Sequence, residues 1–213
     1  MSEKHPKQDF QVERLAFFSD AVFAIAITLL VIEFKTPEIT KESTYAEVWK
    51  ELLGMKYKFF ALILSFALIA RYWMRHHTLF KYIHNYNKQI LVVNMWVLLP
   101  IIFFPFSTTF FYESTNNEQV LVIPYRIFVL NNILANGAMY YFYFIITKRY
   151  RDFIYPMEKK DGEDFGVELL IICVSFILVF LLSFISFKIS LLGILPIPVF
   201  NFYRKYFKKG NNR

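Results

Sequence analysis

The sequence predicts an all-α integral membrane protein. Of its 213 residues, 56% are apolar and 20% aromatic, while the charged residues (19%) cluster between long apolar runs. A soluble domain has about a quarter charged residues, spread throughout. Several runs of about 20 residues carry almost no charge, and that is the length a helix needs to cross a bilayer. The runs are continuously apolar and do not alternate with period two, which favours helices over the strands of a membrane barrel.

Six segments are apolar enough to be membrane spans, and they predict a single transmembrane domain over residues 1–213. The second and sixth are short for a hydrocarbon layer of about 30 Å. The last two meet at Phe187-Lys188, so a tight hairpin is expected there. The six segments are Leu15–Phe34, Phe59–Trp73, Ile90–Phe111, Val120–Thr147, Val167–Phe187 and Ile189–Tyr203.

The basic residues predict the orientation of these spans. Of the 24 Lys and Arg residues, 17 lie at the chain ends and in the second and fourth connections, whereas six lie in the other connections. Basic residues accumulate on the cytoplasmic side of membrane proteins. We therefore expect a short cytoplasmic N-terminus (residues 1–14) and a basic cytoplasmic C-terminal tail (residues 204–213). The net charge of +7 then reflects this bias and does not indicate a nucleic-acid partner.

Between the first two spans, a polar stretch carries its own helix signal. Thr44 and Glu47 have the spacing of a capping box, in which each side chain satisfies a backbone N–H at the start of a helix. Val48, Trp49 and the leucines that follow would form one apolar face. The pattern predicts a short amphipathic helix at the outer membrane surface, with Trp49 at the lipid headgroups.

The first span contains an acid, Asp20, which is costly inside a membrane and therefore marks a candidate functional site. At 100° per residue, Ile25, Leu29 and Ile32 share one face, and Thr28 lies about 60° from Ile25. Asp20 points about 140° away from Ile25. We interpret Asp20 as a hydrogen-bonded anchor facing away from the apolar stripe. A role in proton relay is the alternative.

Candidate partners for Asp20 lie near the end of the second span: Arg71, Trp73, His76 and His77. Indole and imidazole N–H groups can donate to a carboxylate, which is expensive to leave unpaired in a low-dielectric site. A metal site at His76 and His77 is disfavoured, because adjacent helical residues diverge by about 100°. The single cysteine, Cys173, lies in an apolar run, so neither an intrachain disulfide nor a cysteine-based metal site is expected.

Residues 14–20 read R-x-x-x-F-S-D and are followed by A-V-F-A-I-A-I-T-L-L. This stretch resembles the opening helix of the transmembrane protein 175 family, which includes the lysosomal potassium channel and its bacterial relatives. Residues 73–80, W-M-R-H-H-T-L-F, are similar to the family's Trp/His segment after helix two, and the Leu99-Pro100 and Phe104-Pro105-Phe106 stretch is a weaker match. One set of six spans is similar to the bacterial branch.

The resemblance implies a homotetramer in a bacterial plasma membrane, with helix 1 of each subunit lining a central pore. Its partners would be further copies of itself, membrane lipid, potassium and other monovalent cations, and no cofactor is implied. The implied pore or gate residues are Ile25, Thr28, Leu29 and Ile32. The implied structural network of the R-x-x-x-F-S-D motif consists of Arg14, Phe18, Ser19, Asp20, Trp73, His76 and His77.

The resulting hypothesis is a potassium-permeable channel with a hydrophobic constriction. No T-V-G-Y-G filter occurs in the sequence, so we expect gating by dewetting of apolar rings and only modest preference for potassium over sodium. A secondary transporter is the alternative, because prolines at 100, 105, 196 and 198 could break helices. No enzyme is predicted, since no clustered carboxylates, nucleophile–His pair or phosphate-binding Gly loop appears.

Overall fold

The computed structural model describes residues 6–32, 39–114, 118–157 and 159–207, and these segments are mostly helical. A turn of π-helix (Ile145–Arg149) extends the fifth helix, and short 3₁₀ turns follow at Arg151–Phe153 and Leu191–Ile194. The α-helices are α1 (Pro6–Ile32), α2 (Tyr45–Gly54), α3 (Lys56–Phe80), α4 (Lys88–Glu113), α5 (Glu118–Phe144), α6 (Lys159–Leu182), α7 (Phe187–Ser190) and α8 (Pro196–Phe207).

Five of these helices, α1, α3, α4, α5 and α6, are long and apolar enough to cross a membrane. Their candidate spans contain 21 to 30 residues. They coincide with the first five predicted spans, although the ends differ. Phe34, the predicted end of the first span, lies outside the described residues.

Two helices continue beyond the predicted ends of their spans. α3 continues past Trp73 to Phe80, and α6 begins at Lys159, before Val167. Charged residues interrupt both apolar runs, but Arg71 and Arg75 of α3 pair with Glu168 of α6. Charges that neutralise one another are tolerated near a membrane boundary.

The predicted sixth span, Ile189–Tyr203, is not a single helix in the structure. It consists of α7, a 3₁₀ turn and α8. Pro196 lacks a backbone N–H and starts a new helix at its first position, where proline is tolerated. The segment returns antiparallel along α6, since Gly193 approaches Val179 and Arg204 reaches Glu168.

The fourth helix, α4, forms the centre of the bundle and packs against α1, α3 and α5. Its side chains Val97, Ile101 and Phe104 are almost completely buried. Pro100 and Pro105 lie within the helix without ending it. Neither proline therefore produces the broken helix that a transporter site would need.

Asparagines of α5 connect it to two neighbouring helices. Asn131 donates to the carbonyl oxygen of Pro100 on α4 at 3.0 Å. Asn132 accepts a hydrogen bond from the Tyr72 hydroxyl of α3 at 3.0 Å, and Asn136 donates to the same hydroxyl at 2.6 Å. All three asparagines are buried. Their amides are therefore satisfied inside the bundle, as buried polar groups require.

The predicted amphipathic helix is confirmed as α2. Thr44 and Glu47 form both halves of the capping box. Hydrogen bonds from the Thr44 backbone and side chain lower the pKa of the Glu47 carboxyl. No residue of α2 is buried, and Trp49 is half-exposed. Its apolar face is therefore open on the surface of the chain, directly before α3.

The second and fourth connections meet at one end of the bundle. His84 donates its backbone N–H to the carbonyl of Phe153 at 3.0 Å, and Tyr155 donates to the carbonyl of Tyr82 at 2.7 Å. Because both connections are rich in basic residues, this pairing gathers positive charge at one end. The N-terminal half of α6 begins at the same end.

The contact between Gly193 and α6 gives the first prediction. A Cβ at position 193 would lie 2.5 Å from the Val179 backbone nitrogen, whereas one at Gly137 would meet nothing within 4 Å. Gly193→Ala should therefore destabilise the protein by about 1–3 kcal/mol, as overpacking typically does. The measurement is thermal unfolding in detergent with Gly137→Ala as control. Equal midpoints for the two variants would contradict the close approach of the returning segment.

Candidate functional site

The first helix has one face buried against the bundle. The buried residues recur every three or four positions, which is one stripe of a helix, and this stripe packs against α3 and α4. It carries a polar group, the Ser19 hydroxyl, at its centre. The buried residues are Val12, Leu15, Ser19, Phe23, Ala26 and Leu30.

The four predicted pore residues lie away from this buried stripe. Ile25 is 57% exposed and Ile32 is 72% exposed. Thr28 is also exposed, whereas Leu29 is half-buried at the edge of the face. The structure thus brings the four residues together on one side of α1. Most of this apolar face is not covered by the part of the chain that the structure describes.

Thr28 is the polar group of the exposed face. Its hydroxyl donates to the backbone carbonyl of Ile25 at 2.9 Å. With this proton donated to the helix, the hydroxyl oxygen still has lone pairs that can accept. The group offered to a neighbouring molecule or ion is therefore an acceptor, which suits a cation.

Asp20 receives a hydrogen bond from one of its four candidate partners. The Trp73 indole Nε1 donates to Asp20 Oδ1 at 2.9 Å. The His77 ring stacks on Trp73, with centroids 5.5 Å apart. Arg71 instead donates to Glu168 at 2.9 Å. Asp20 is thus tied to α3 through tryptophan, at the edge of the contact between the two helices.

His76 is linked by hydrogen bonds to Ser19 of the R-x-x-x-F-S-D motif through Asn94 of α4, a residue that the sequence analysis missed. His76 Nε2 lies 2.7 Å from Asn94 Oδ1, and Asn94 Nδ2 donates to the Ser19 hydroxyl at 2.9 Å. Ser19 in turn donates to the carbonyl of Leu15 at 2.9 Å. His76, Asn94 and Ser19 are at most 1% exposed. This buried chain fixes α1 against α3 and α4.

Two members of the predicted network lie outside this cluster. Arg14 is exposed, with its guanidinium 6.0 Å from the centroid of the Phe10 ring. Phe18 is 51% exposed. The structure therefore brings together Ser19, Asp20, Trp73, His76 and His77, but not Arg14 or Phe18, within a single chain.

Glu168 is a second residue that the sequence analysis missed. It is 5% exposed and contacts Arg71, Arg75 and Arg204. The available signal was an acid at the start of the predicted fifth span, combined with two arginines on α3. The pairing could not be read from the sequence, because Arg71 and Glu168 are 97 positions apart.

The link between Asp20 and Trp73 gives the second prediction. Trp73→Phe removes the donor and leaves the carboxylate without its indole partner, so we expect a loss of about 1.5–3 kcal/mol of stability. Trp96→Phe, at an exposed position of α4, is the matched control. Thermal unfolding of Trp73→Phe, Asp20→Asn and the double variant should show less than additive losses. Full additivity would mean that the two side chains do not interact.

Comparison with known proteins agrees with the fold and the motif. Residues 14–105 match the family described as endosomal/lysosomal potassium channel TMEM175. A potassium channel of Chryseobacterium sp. is 37% identical over 122 residues, which is 57% of this chain and 59% of that protein. A potassium channel of Chamaesiphon minutus is 35% identical over 117 residues, which is 55% of this chain and 57% of that protein. The chain thus spans under two thirds of these curated relatives.

The fold is similar over a greater length than the sequence. The crystal structure of a lysosomal potassium-selective channel TMEM175 homolog from Chamaesiphon minutus superposes with a TM-score of 0.76 at 23% identity, covering 92% of this chain and 98% of that one. The resemblance predicted from the R-x-x-x-F-S-D motif is confirmed: residues 14–105 are similar in sequence to the TMEM175 family, and the chain as a whole is similar in fold to a TMEM175 homolog.

Proposed function

We propose that this chain is the subunit of a potassium-permeable cation channel, with α1 of four copies surrounding a central pore. The potassium-channel names of its relatives support this function. The observation in the chain itself that carries it is the exposed face of α1. An apolar face with Thr28 among its exposed residues is suited to a narrow ring around an axis.

The constriction would be formed by Ile25, with Leu29 and Ile32 as further rings. Apolar side chains offer an ion no ligands to offset the loss of its hydration shell. A narrow ring of this kind excludes water and closes the pore by dewetting. Opening would then require the α1 helices to move apart or to rotate.

Selectivity would arise at Thr28, whose hydroxyl oxygen presents its lone pairs to the pore. One hydroxyl ring can partly replace the water around a cation, but it cannot supply the stacked carbonyl oxygens of a T-V-G-Y-G filter. We therefore propose a modest preference for potassium over sodium. Potassium is the permeant species of this proposal.

The buried hydrogen bonds behind α1 would set the rotation of the pore face. Ser19, Asn94 and His76 are linked on the side of α1 opposite Ile25. Asp20 acts in the same way through Trp73 and would lie off the conduction path. In this proposal Arg14 and Phe18 would meet the network only through contacts between subunits.

The interrupted segment from α7 to α8 would complete a sixth crossing of a bacterial plasma membrane. It returns along α6, which carries its C-terminal end back to the side where α6 began. The basic residues gathered at that end support a cytoplasmic location for both chain termini.

Topology is the third prediction. In a Cys173→Ser background, Glu42→Cys should react with an impermeant thiol reagent added outside intact cells. Arg151→Cys should react only after the cells are opened, because it lies in the basic fourth connection. Both positions are exposed in the structure. Labelling of Arg151→Cys in intact cells would overturn the proposed orientation.

The hydrophobic ring gives the fourth prediction. Ile25→Asn should wet the constriction and raise the resting conductance, because the amide can ligate water and ions. Leu30→Asn is the matched control, since Leu30 is 3% exposed and its substitution should mainly impair folding. The measurement is single-channel recording of purified protein in lipid bilayers. Folded Ile25→Asn tetramers with unchanged current would place the constriction elsewhere on α1.

The fifth prediction concerns selectivity. Thr28→Val keeps the shape of the side chain but removes its oxygen, so the potassium-to-sodium permeability ratio should fall while the resting conductance changes less. Thr28→Ser, which keeps the hydroxyl, is the control and should retain the ratio. Reversal potentials under bi-ionic conditions measure both. An unaltered ratio in Thr28→Val would remove Thr28 from the selectivity mechanism.

The function itself is tested by recording from the purified wild-type chain in bilayers. Unitary current steps carried by potassium are expected of a channel. Coupled ion or solute flux without steps would instead identify a secondary transporter.

A further inference from the structure

Three guanidinium groups converge on the buried carboxylate of Glu168. Arg71 Nη2 lies 2.9 Å from Oε1, Arg204 Nη1 lies 3.3 Å from Oε2, and Arg75 also contacts Oε1. The arginines come from α3 and α8, and the carboxylate from α6. We call Arg71, Arg75, Arg204 and Glu168 the arginine cluster. None of the steps proposed for conduction uses it.

The cluster has more positive charge and more donors than its carboxylate can use. One carboxylate neutralises one guanidinium and offers about four acceptor sites, whereas each guanidinium carries five N–H donors. The side chains of Arg71, Arg75 and Arg204 are 35%, 26% and 44% exposed, against 7% for Glu168. The surplus donors therefore face outward, where an anion can reach them.

The position of the cluster marks a membrane boundary. Arg71 follows the apolar run of α3, Glu168 precedes the apolar run of α6, and Arg204 follows the apolar part of α8. Trp73, between the two arginines of α3, is an aromatic residue of the kind enriched at this depth. Lipid phosphate groups lie at the same level of a bilayer.

The geometry of the cluster is fixed before any ligand binds. Glu168 holds all three arginines, and the Arg75 guanidinium also lies over the Phe165 ring, 5.3 Å from its centroid. A planar guanidinium binds phosphate through two parallel N–H donors. Arginines held in position lose little side-chain entropy on binding such a group.

We propose that the arginine cluster is a binding site for the phosphate group of an anionic membrane lipid. Bound lipid would balance the surplus positive charge and strengthen the attachment of α8 to α3 and α6. The site is independent of ion conduction, so it can be tested whether or not the chain forms a channel. The same chemistry would accept free phosphate, and the experiment separates the two sources.

The test is lipid binding to the purified full chain in neutral detergent, followed by native mass spectrometry and thermal unfolding. Phosphatidylglycerol should bind and raise the unfolding midpoint, whereas phosphatidylcholine should not. Arg71→Gln or Arg204→Gln should weaken phosphatidylglycerol binding roughly tenfold, the effect of losing one charge-assisted hydrogen bond. Lys81→Gln, a basic residue of the same end outside the cluster, should bind like wild type.

Glu168→Gln keeps the test decisive if the arginine variants unfold. It removes the competing negative charge but keeps an amide oxygen that can still accept hydrogen bonds from the arginines, so phosphatidylglycerol should bind at least as tightly as in wild type. If the cluster is only an internal ion pair, every variant should show the same weak lipid binding. That result would overturn the proposal. If inorganic phosphate stabilises the protein and phosphatidylglycerol does not, the bound phosphate group does not come from a lipid. This result would also overturn the proposal.

Discussion

The rest of the structure depends on one constraint, the fixed orientation of α1 about its own axis. The Ser19 hydroxyl accepts a hydrogen bond from Asn94 Nδ2, Asn94 Oδ1 accepts one from His76 Nε2, and the Asp20 carboxylate accepts one from Trp73. Leaving one of these polar groups unpaired would cost about 1–3 kcal/mol, so these contacts favour one rotation. Because the helical angle between residues is fixed, the same contacts decide that Ile25 and Thr28 face outward. The buried hydrogen bonds thus determine the surface that the proposed pore would use.

Charge at the basic end of the bundle organises the other helices. Glu168 joins α3, α6 and α8 through arginines, and the second and fourth connections pair through backbone hydrogen bonds. At the opposite end of α6, Arg126 donates to the carbonyl of Ser183 at 3.0 Å and covers the Phe184 ring. Charged residues in the spans therefore hold helix ends in place, while asparagines join the helices between those ends.

The sequence predicted what local pattern controls. Hydropathy indicated five of the spans, the Thr44 and Glu47 spacing predicted the cap of α2, and helical phase predicted the separation of Ser19 from Ile25. The features that the sequence did not predict depend on contacts between residues far apart in the chain. The pairing of Arg71 and Arg75 with Glu168 and the packing of the α7 to α8 segment on α6 could not be read from local pattern. Asn94 was missed because an amide in an apolar run gives no sign of its partners.

The most direct test of the central claim is a cross-section of the purified oligomer in lipid nanodiscs by single-particle electron cryomicroscopy. The account predicts four subunits with α1 nearest the symmetry axis, Ile25 and Thr28 pointing toward it, and Ser19 facing Asn94 of its own chain. An oligomer whose α1 exposed face contacts lipid, with another helix around the axis, would contradict the account.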